Sequence, residues 1–220
     1  MRCYVKKLDI IYEDKNLLVI CKPAKLLTIG TDKVREHTLF HMASDYVKKQ
    51  YPKNKVFIVN RLDKDTSGLV VFAKNEEFKR NLQNHWNEWV KRWYIAIVEG
   101  CVAKDNGVIR NYLWEDNTLK VHETDDSKKG DLAITHYRVI KRTKAYTMVK
   151  IQIETGRKNQ IRVHMNGMGH PIIGDKKYGA RKNPLGRLGL HANCLEMHIP
   201  HYKDLVIECP LPKEFQNIKF

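Results

Sequence analysis

The chain of 220 residues has no long apolar run. Its apolar stretches are short and broken by charge, whereas a bilayer-spanning helix needs about 20 apolar residues. The opening Met1-Arg2-Cys3-Tyr4-Val5-Lys6-Lys7 lacks the apolar core of a secretory signal. Both absences lead us to expect a cytoplasmic protein. Cys-x-x-Cys is missing too. The five cysteines, Cys3, Cys21, Cys101, Cys194 and Cys209, are scattered and odd in number, so they read as reduced, mostly packed thiols. His191, Cys194, His198 and His201 crowd one stretch. On a strand, however, His191 and Cys194 point to opposite faces, and the spacing matches no common zinc pattern. No metal and no cofactor is expected. Nucleotide-binding loops, repeats, low-complexity tracts and clear linkers are likewise absent.

Acidic residues are outnumbered. Lys+Arg is 40 against Asp+Glu 25, a net charge of +15, with a pI near 9.6. Such an excess favours a polyanion through phosphate contacts and counterion release. No basic amphipathic helix stands out, which disfavours a membrane surface. The partner expected is nucleic acid. Hydrophobic residues make up 42%, enough for a folded core, and 220 residues suit one large domain or two small ones.

Local pattern predicts strands at residues 8–12 and 17–21 around a Glu13–Asn16 turn, then a helix capped by Thr38 and running to about Lys49. A strand at 56–59 and another at 69–73 flank a polar turn. Asn75 caps a further helix, with acidic residues in its first turn. Strands follow at 93–99, 133–139, 147–154, 188–199 and 205–209, with a hairpin suggested within 101–131. Strands outnumber helices without regular alternation. The fold class expected is α+β with a mixed, largely antiparallel central sheet and flanking helices.

Three segments carry candidate chemistry. In Val59-Asn60-Arg61-Leu62-Asp63-Lys64-Asp65-Thr66-Ser67-Gly68, the short polar residues suit a turn. A turn alone does not explain Arg-Leu-Asp leaving a buried strand. A carboxylate fixed at a strand end beside a cation stays ionised and is a candidate nucleophile. In Arg92-Trp93-Tyr94-Ile95-Ala96-Ile97-Val98-Glu99-Gly100, Arg92 and Tyr94 share a face. An arbitrary tyrosine there would be packing, but beside a cation in a basic chain its ring can stack on a base and its hydroxyl exchange a proton. The third segment, residues 155–165 and 169–179, gathers Arg157, Lys158, Arg162, His164, Lys176 and Lys177. The plain reading is a solvated basic loop before a helix. Ile161, Val163 and Met165 break that polarity and imply a partly buried Arg162, which needs a carboxylate partner; Asp63 is the candidate.

These segments resemble the signatures of RNA pseudouridine synthases of the family with a His-Arg-Leu-Asp-x-x-Thr-Ser-Gly motif. Arg92 to Gly100 is similar to its Lys-x-Tyr-x-Ala-x-Val-x-Gly. The third segment is similar to Gly-Arg-x-His-Gln-Ile/Leu-Arg-x-His followed by Gly-His-Pro-Ile-x-Gly-Asp-x-x-Tyr-Gly. Residues 11–24, with Lys22-Pro23, and Arg187-Leu188-Gly189-Leu190-His191-Ala192 resemble two more signatures. The resemblance runs from about residue 8 to about residue 212, five signatures in order. Asn60 and Asn159 stand where histidine is usual, and neither titrates near neutrality. Cys21 and Lys25 replace common asparagine and glycine.

What the resemblance implies is isomerisation of selected uridines to pseudouridine in structured RNA, ribosomal RNA before transfer RNA, by a single catalytic domain of residues 1–220 with no separate N-terminal RNA-binding module. The chain is expected to act as a monomer. The implied catalytic residues are Asp63, the nucleophile; Tyr94, against the flipped base; and Arg162, paired with Asp63. Implied substrate-binding residues are Arg61, Thr66, Arg92, Arg157, Ile161, His164 and Lys176. The alternative from another class is a non-catalytic RNA-binding or ribosome-assembly protein on the same scaffold. A metal-dependent phosphate-ester hydrolase would need clustered carboxylates, and Asp63 with Asp65 makes a thin cluster.

Overall fold

In a computed structural model, residues 7–30 and 36–220 are described; Cys3 and most of the opening segment lie outside them. The strands are β1 (Ile10–Glu13), β2 (Leu17–Lys22), β3 (Phe57–Ile58), β4 (Ser67–Ala73), β5 (Val90–Glu99), β6 (Asn106–Glu115), β7 (Val121–Thr124), β8 (Asp131–Arg142), β9 (Tyr146–Ile153), β10 (Leu190–Met197) and β11 (Leu205–Glu208). The helices are α1 (Leu39–Gln50), α2 (Glu76–Asn84), α3 (Trp86–Trp89), α4 (Gln160–Gly167) and α5 (Lys213–Gln216). The expected α+β class, with a largely antiparallel sheet, is what the chain adopts. Among the described residues no helix is long and apolar enough to cross a membrane. The chain divides into two compact units: Met1–Val90 with Ala192–Pro210, and Lys91–His191 with Leu211–Phe220.

In the first unit the strand order is β1-β2-β4-β10, with β11 beside β10 and β3 beside β4. Asp14 makes the first turn: its Oδ1 accepts from the amides of Asn16 and Leu17, each at 2.8 Å. Thr38 and Asn75 cap α1 and α2 as their sequence positions foretell, accepting from the amides of His41 and Phe78. Strand β4 is buried along its whole length, as a strand covered on both faces must be. Leu17, Val19, Leu69, Val71, Leu195 and Met197 form the centre of this unit's core.

The run 56–59 yields only the two-residue β3. Its ladder continues by other means: Val59 N–H donates to Val71 O at 3.0 Å, and Val71 N–H donates to the Asn60 side-chain carbonyl at 2.8 Å. The Asn60 amide thus takes the place of a backbone acceptor, which frees the chain to leave the sheet at Arg61.

The cysteine reading needs correction. Cys21, at the end of β2, and Cys209, just past β11, form a disulfide across 188 residues of sequence. Cys101 is exposed and Cys194 buried, both outside that bond. Nothing in their spacing signalled the pair, because only the β11 return brings Cys209 to the end of β2.

In the second unit the order is β5-β9-β8-β6-β7, every neighbour antiparallel. The hairpin foreseen within 101–131 is β6–β7. One side of this sheet packs with α4, where Leu113, Ala133, Val163 and Tyr178 cluster. At the β5 end of the other side, Ile95, Ile97 and Met148 are covered by Phe215 of α5 and by Ile218.

Gly68 opens β4 with φ +116°, and a Cβ there would lie 2.1 Å from the carbonyl oxygen of Ala192. Both the conformation and the space demand glycine. Gly68→Ala is expected to lower stability by about 3 kcal/mol or more, read as a fall in the urea midpoint; an unchanged midpoint would contradict the packing of β4 against β10.

Candidate active site

The Arg-Leu-Asp segment lies in the first unit, between β3 and β4. Arg61 is exposed, Leu62 buried and Asp63 half-buried. Two buried side chains from the β2 end of the chain hold this loop by its backbone. Lys22 is fully buried, and its Nζ donates to the carbonyls of Leu26 at 2.8 Å, Pro23 at 3.1 Å and Lys64 at 3.1 Å. Thr28 Oγ1 donates to Leu62 O at 2.8 Å and accepts from Leu62 N–H at 3.3 Å. Thr66 is buried and its amide closes the turn on Asp63 O at 3.2 Å. Backbone carbonyls so engaged fix the loop's path on both sides of the half-buried Asp63. Sequence reasoning missed Lys22 and Thr28. Lys22-Pro23 was visible as a motif, but a lysine at a strand end gives no sign of burial.

The other candidates lie in the second unit. Tyr94, in mid β5, is 9% exposed. Arg92 shares its face but is buried, and its NH2 donates to the carbonyls of Glu154 at 2.7 Å and Ile153 at 3.3 Å. Burial lowers its pKa. Arg92 therefore ties β5 to the end of β9 through two carbonyls. Arg157 and Lys176 are exposed. Arg157 Nε donates to Leu132 O at 3.0 Å.

Helix α4 carries Ile161, Arg162 and His164. Ile161 is buried. Its start is pinned by Gln160, whose Oε1 accepts from Thr155 Oγ1 and Arg157 N–H while its Nε2 donates to Ile134 O and Thr135 Oγ1. The N-cap is Asn159 in the left-handed region, φ 54°, a conformation asparagine tolerates better than most residues. Its Oδ1 accepts from Arg162 NH1 at 3.0 Å, and its Nδ2 donates to Tyr178 Oη at 2.9 Å. Arg162 grips Asp175 bidentately, Nε to Oδ2 at 2.7 Å and NH2 to Oδ1 at 2.8 Å. The Tyr178 ring lies 5.0 Å from the guanidinium carbon. Asp175 is 2% exposed. A planar fork on a buried carboxylate fixes the orientation of the guanidinium. Sequence reasoning demanded a carboxylate for Arg162 and named Asp63; within its own unit the partner is Asp175, 13 residues on and inside the same signature.

His164 is fully buried. Its Nδ1 meets Thr135 Oγ1 and its Nε2 meets Asn111 Oδ1, each at 2.9 Å. Asn111 also bonds Glu123; a carboxylate accepts, so the Asn111 amide nitrogen faces it and the carbonyl faces His164. That assigns the proton to Nε2 and makes Nδ1 an acceptor from Thr135. Burial pushes the pKa of His164 down to about 4. In this structure the imidazole is enclosed between Thr135 and Asn111.

The geometry thus offers a backbone-clamped aspartate loop in one unit, and in the other a largely buried tyrosine and an arginine locked in orientation. A carboxylate presented in this way suits nucleophilic attack. A protein-family model described as RNA pseudouridylate synthase matches residues 16–167. An uncharacterized RNA pseudouridine synthase of Bacillus subtilis is 35% identical over 216 residues, covering 96% of this chain and 71% of that protein. Ribosomal large subunit pseudouridine synthase D of Nitrosomonas europaea is 36% identical over 221 residues, covering 94% and 63%. Among solved structures, human RNA pseudouridylate synthase domain containing 4 aligns with a TM-score of 0.80 at 27% identity, covering 94% of this chain and 90% of that one. The chain belongs to the RNA pseudouridylate synthase family, enzymes that isomerise uridine within RNA.

The depressed pKa of His164 has a stability consequence. As pH falls below 6.5, the ordinary histidine value, the unfolded ring takes a proton while the folded ring stays neutral until about 4. The unfolded state binds more protons in this window, so stability falls as pH falls. The expected loss is on the order of 3 kcal/mol from pH 7 to 4. Urea unfolding at steps across that range should show it, and His164→Gln should flatten the profile; a variant as steep as the parent would remove His164 as the cause.

Proposed function

We propose that this chain converts specific uridines to pseudouridine in a stem-loop of large-subunit ribosomal RNA, with Asp63 as nucleophile. The alternative substrate is transfer RNA. The reaction breaks the glycosidic bond at N1 of uracil, turns the base, and bonds C5 to the ribose. C5 loses a proton and N1 gains one, so atoms and charge balance without a redox partner or an energy source. The observation that carries this reading is the Asp63 loop, clamped through its carbonyls by buried Lys22 and by Thr28. So constrained a loop around one half-buried aspartate supports the catalytic reading over a non-catalytic binding protein.

In this reading Tyr94 supplies the ring on which the extruded base stacks and takes part in the final proton removal. Arg162 is the guanidinium that aims the nucleophile, and Asp175 and Asn159 set its orientation. Ile161 packs beside the base. Arg61, Arg157 and Lys176 are exposed cations available to phosphate. Extruding the base costs roughly a few kcal/mol, which phosphate contacts would offset. The name of the Nitrosomonas relative supports the choice of ribosomal RNA. The chain is taken to act in the cytoplasm, as a monomer, without metal.

Asp63→Asn should fold, retain RNA binding and lose turnover, measured by pseudouridine formation in transcribed ribosomal RNA; turnover at the parental rate would remove the nucleophile. Arg162→Met should lose turnover and, by leaving Asp175 buried and unpaired, about 3–5 kcal/mol of stability. Unchanged stability in urea titrations would contradict the Arg162–Asp175 pairing.

A further inference from the structure

Alternation along the strands gives the sheet of the second unit two faces of unlike chemistry. Tyr94, Ile151 and Tyr137 share one cross-strand row, on the face where α4 packs. The opposite face carries the row Trp93–Gln152–His136–Val108 and, beside it, Lys150–Arg138–Asn106. Two residues further along β6 from Val108 comes Arg110, then Tyr112 and Trp114, the last opposite His122 on β7. Phe215 and Ile218 cover this face only at its β5 end, over Ile95, Ile97 and Met148. Beyond them it is open: Arg110 and Arg138 are exposed, and Val108 is 59% exposed.

The open part combines aromatic rings with cations. Lys150 Nζ lies 4.5 Å over the Trp93 ring and Lys129 Nζ 3.9 Å over the Trp114 ring. Trp114 stacks on His122 with centroids 5.1 Å apart. The carboxylates at the face are engaged: Glu154 bonds His136 and Asp116 bonds His122. These two carboxylates stay negative beside neutral imidazoles, and against them stand four cations, Arg110, Arg138, Lys129 and Lys150, so this set of groups is net positive. Bases stack on aromatic side chains of an open sheet while cations track the phosphates, which is how sheet surfaces hold unpaired RNA. A sheet face that only solvated itself would not need Tyr112 and Trp114, both half-buried, on its open part.

We propose that this face, opposite the one bearing Tyr94, is a second RNA-binding surface that takes an unpaired segment of the substrate strand by stacking and phosphate contact. The inference rests on RNA being the substrate, not on the role of Asp63. It is tested on the full-length chain carrying Asp63→Asn, by fluorescence anisotropy with a labelled unpaired oligoribonucleotide at several salt concentrations. The double variant Arg110→Glu with Arg138→Glu should weaken binding at least tenfold and make the log–log salt dependence shallower by about 1–2. Trp114→Ala should weaken it roughly tenfold. Lys48→Glu with Lys49→Glu on α1 changes net charge equally and serves as control. If the face double variant loses no more affinity than this control, bulk charge explains the binding and the proposal falls. Unchanged affinity in both Arg110/Arg138 and Trp114 variants overturns it as well, and would hand the face to a protein partner. The readout is binding alone, so active Asp63→Asn, which would sink the nucleophile, leaves this test intact.

Discussion

Everything assigned to Asp63 depends on the buried amine of Lys22. A lysine with no exposure to water is tolerated only when its donors are met, and three carbonyl oxygens do so: Pro23, Leu26 and Lys64. Two of these lie in the chain that follows β2 and the third lies one residue past Asp63. The amine therefore joins the end of a core strand to the loop that carries the carboxylate. Each contact is individually modest, but the alternative is an unsolvated ammonium, which costs far more than the contacts gain. That asymmetry is what stiffens the loop.

Arg162 follows the same rule with a different solution. Its partner Asp175 is itself buried, so neither charge survives alone, and the Asn159 carbonyl takes a further guanidinium donor. Asn159 does this from a left-handed backbone, which places its side chain beside the first turn of α4 and lets the same amide reach Tyr178. The family's usual histidine at this position would bring a titratable ring to the arginine. With asparagine, the contact carries no charge change near neutral pH. Asn60 makes a similar substitution useful in the first unit, where its carbonyl extends the β3–β4 ladder. Both departures from the family pattern thus keep a hydrogen-bonding role and drop a proton.

Much of the fold was legible because its signals are local. Thr38 and Asn75 announce helix starts by chemistry that acts over three residues. The strand runs show their period directly, and even the polar 101–131 stretch resolves into β6 and β7. The candidate site was legible as loops and strands but less so as contacts. Lys22, Thr28 and Asp175 matter through partners that no spacing reveals, and the Cys21–Cys209 bond spans 188 residues. The orientation of Arg92 and His164 was not legible either: both turn inward, Arg92 onto the carbonyls at the end of β9 and His164 between Thr135 and Asn111. Composition reports charge; it does not report which side of an element faces water.

That last distinction also separates the two faces of the second unit's sheet. With a side-chain period of two, each strand must divide its residues between the α4 side and the outer side, and the division is chemical. Leu113, Ala133 and Ile151 go inward, whereas Trp93, Arg110, Trp114 and Arg138 go outward. Large aromatic rings normally contribute most to stability when buried, so rings on the open face give up part of that gain. Lys150 and Lys129 recover some of it by lying over two of the rings, and in doing so they hold cation and aromatic at a spacing that a base and its phosphate could also occupy. The same stacking that shields the rings in the free protein is the interaction that a base would have to replace, whereas salt dependence would come from the phosphate contacts of the cations.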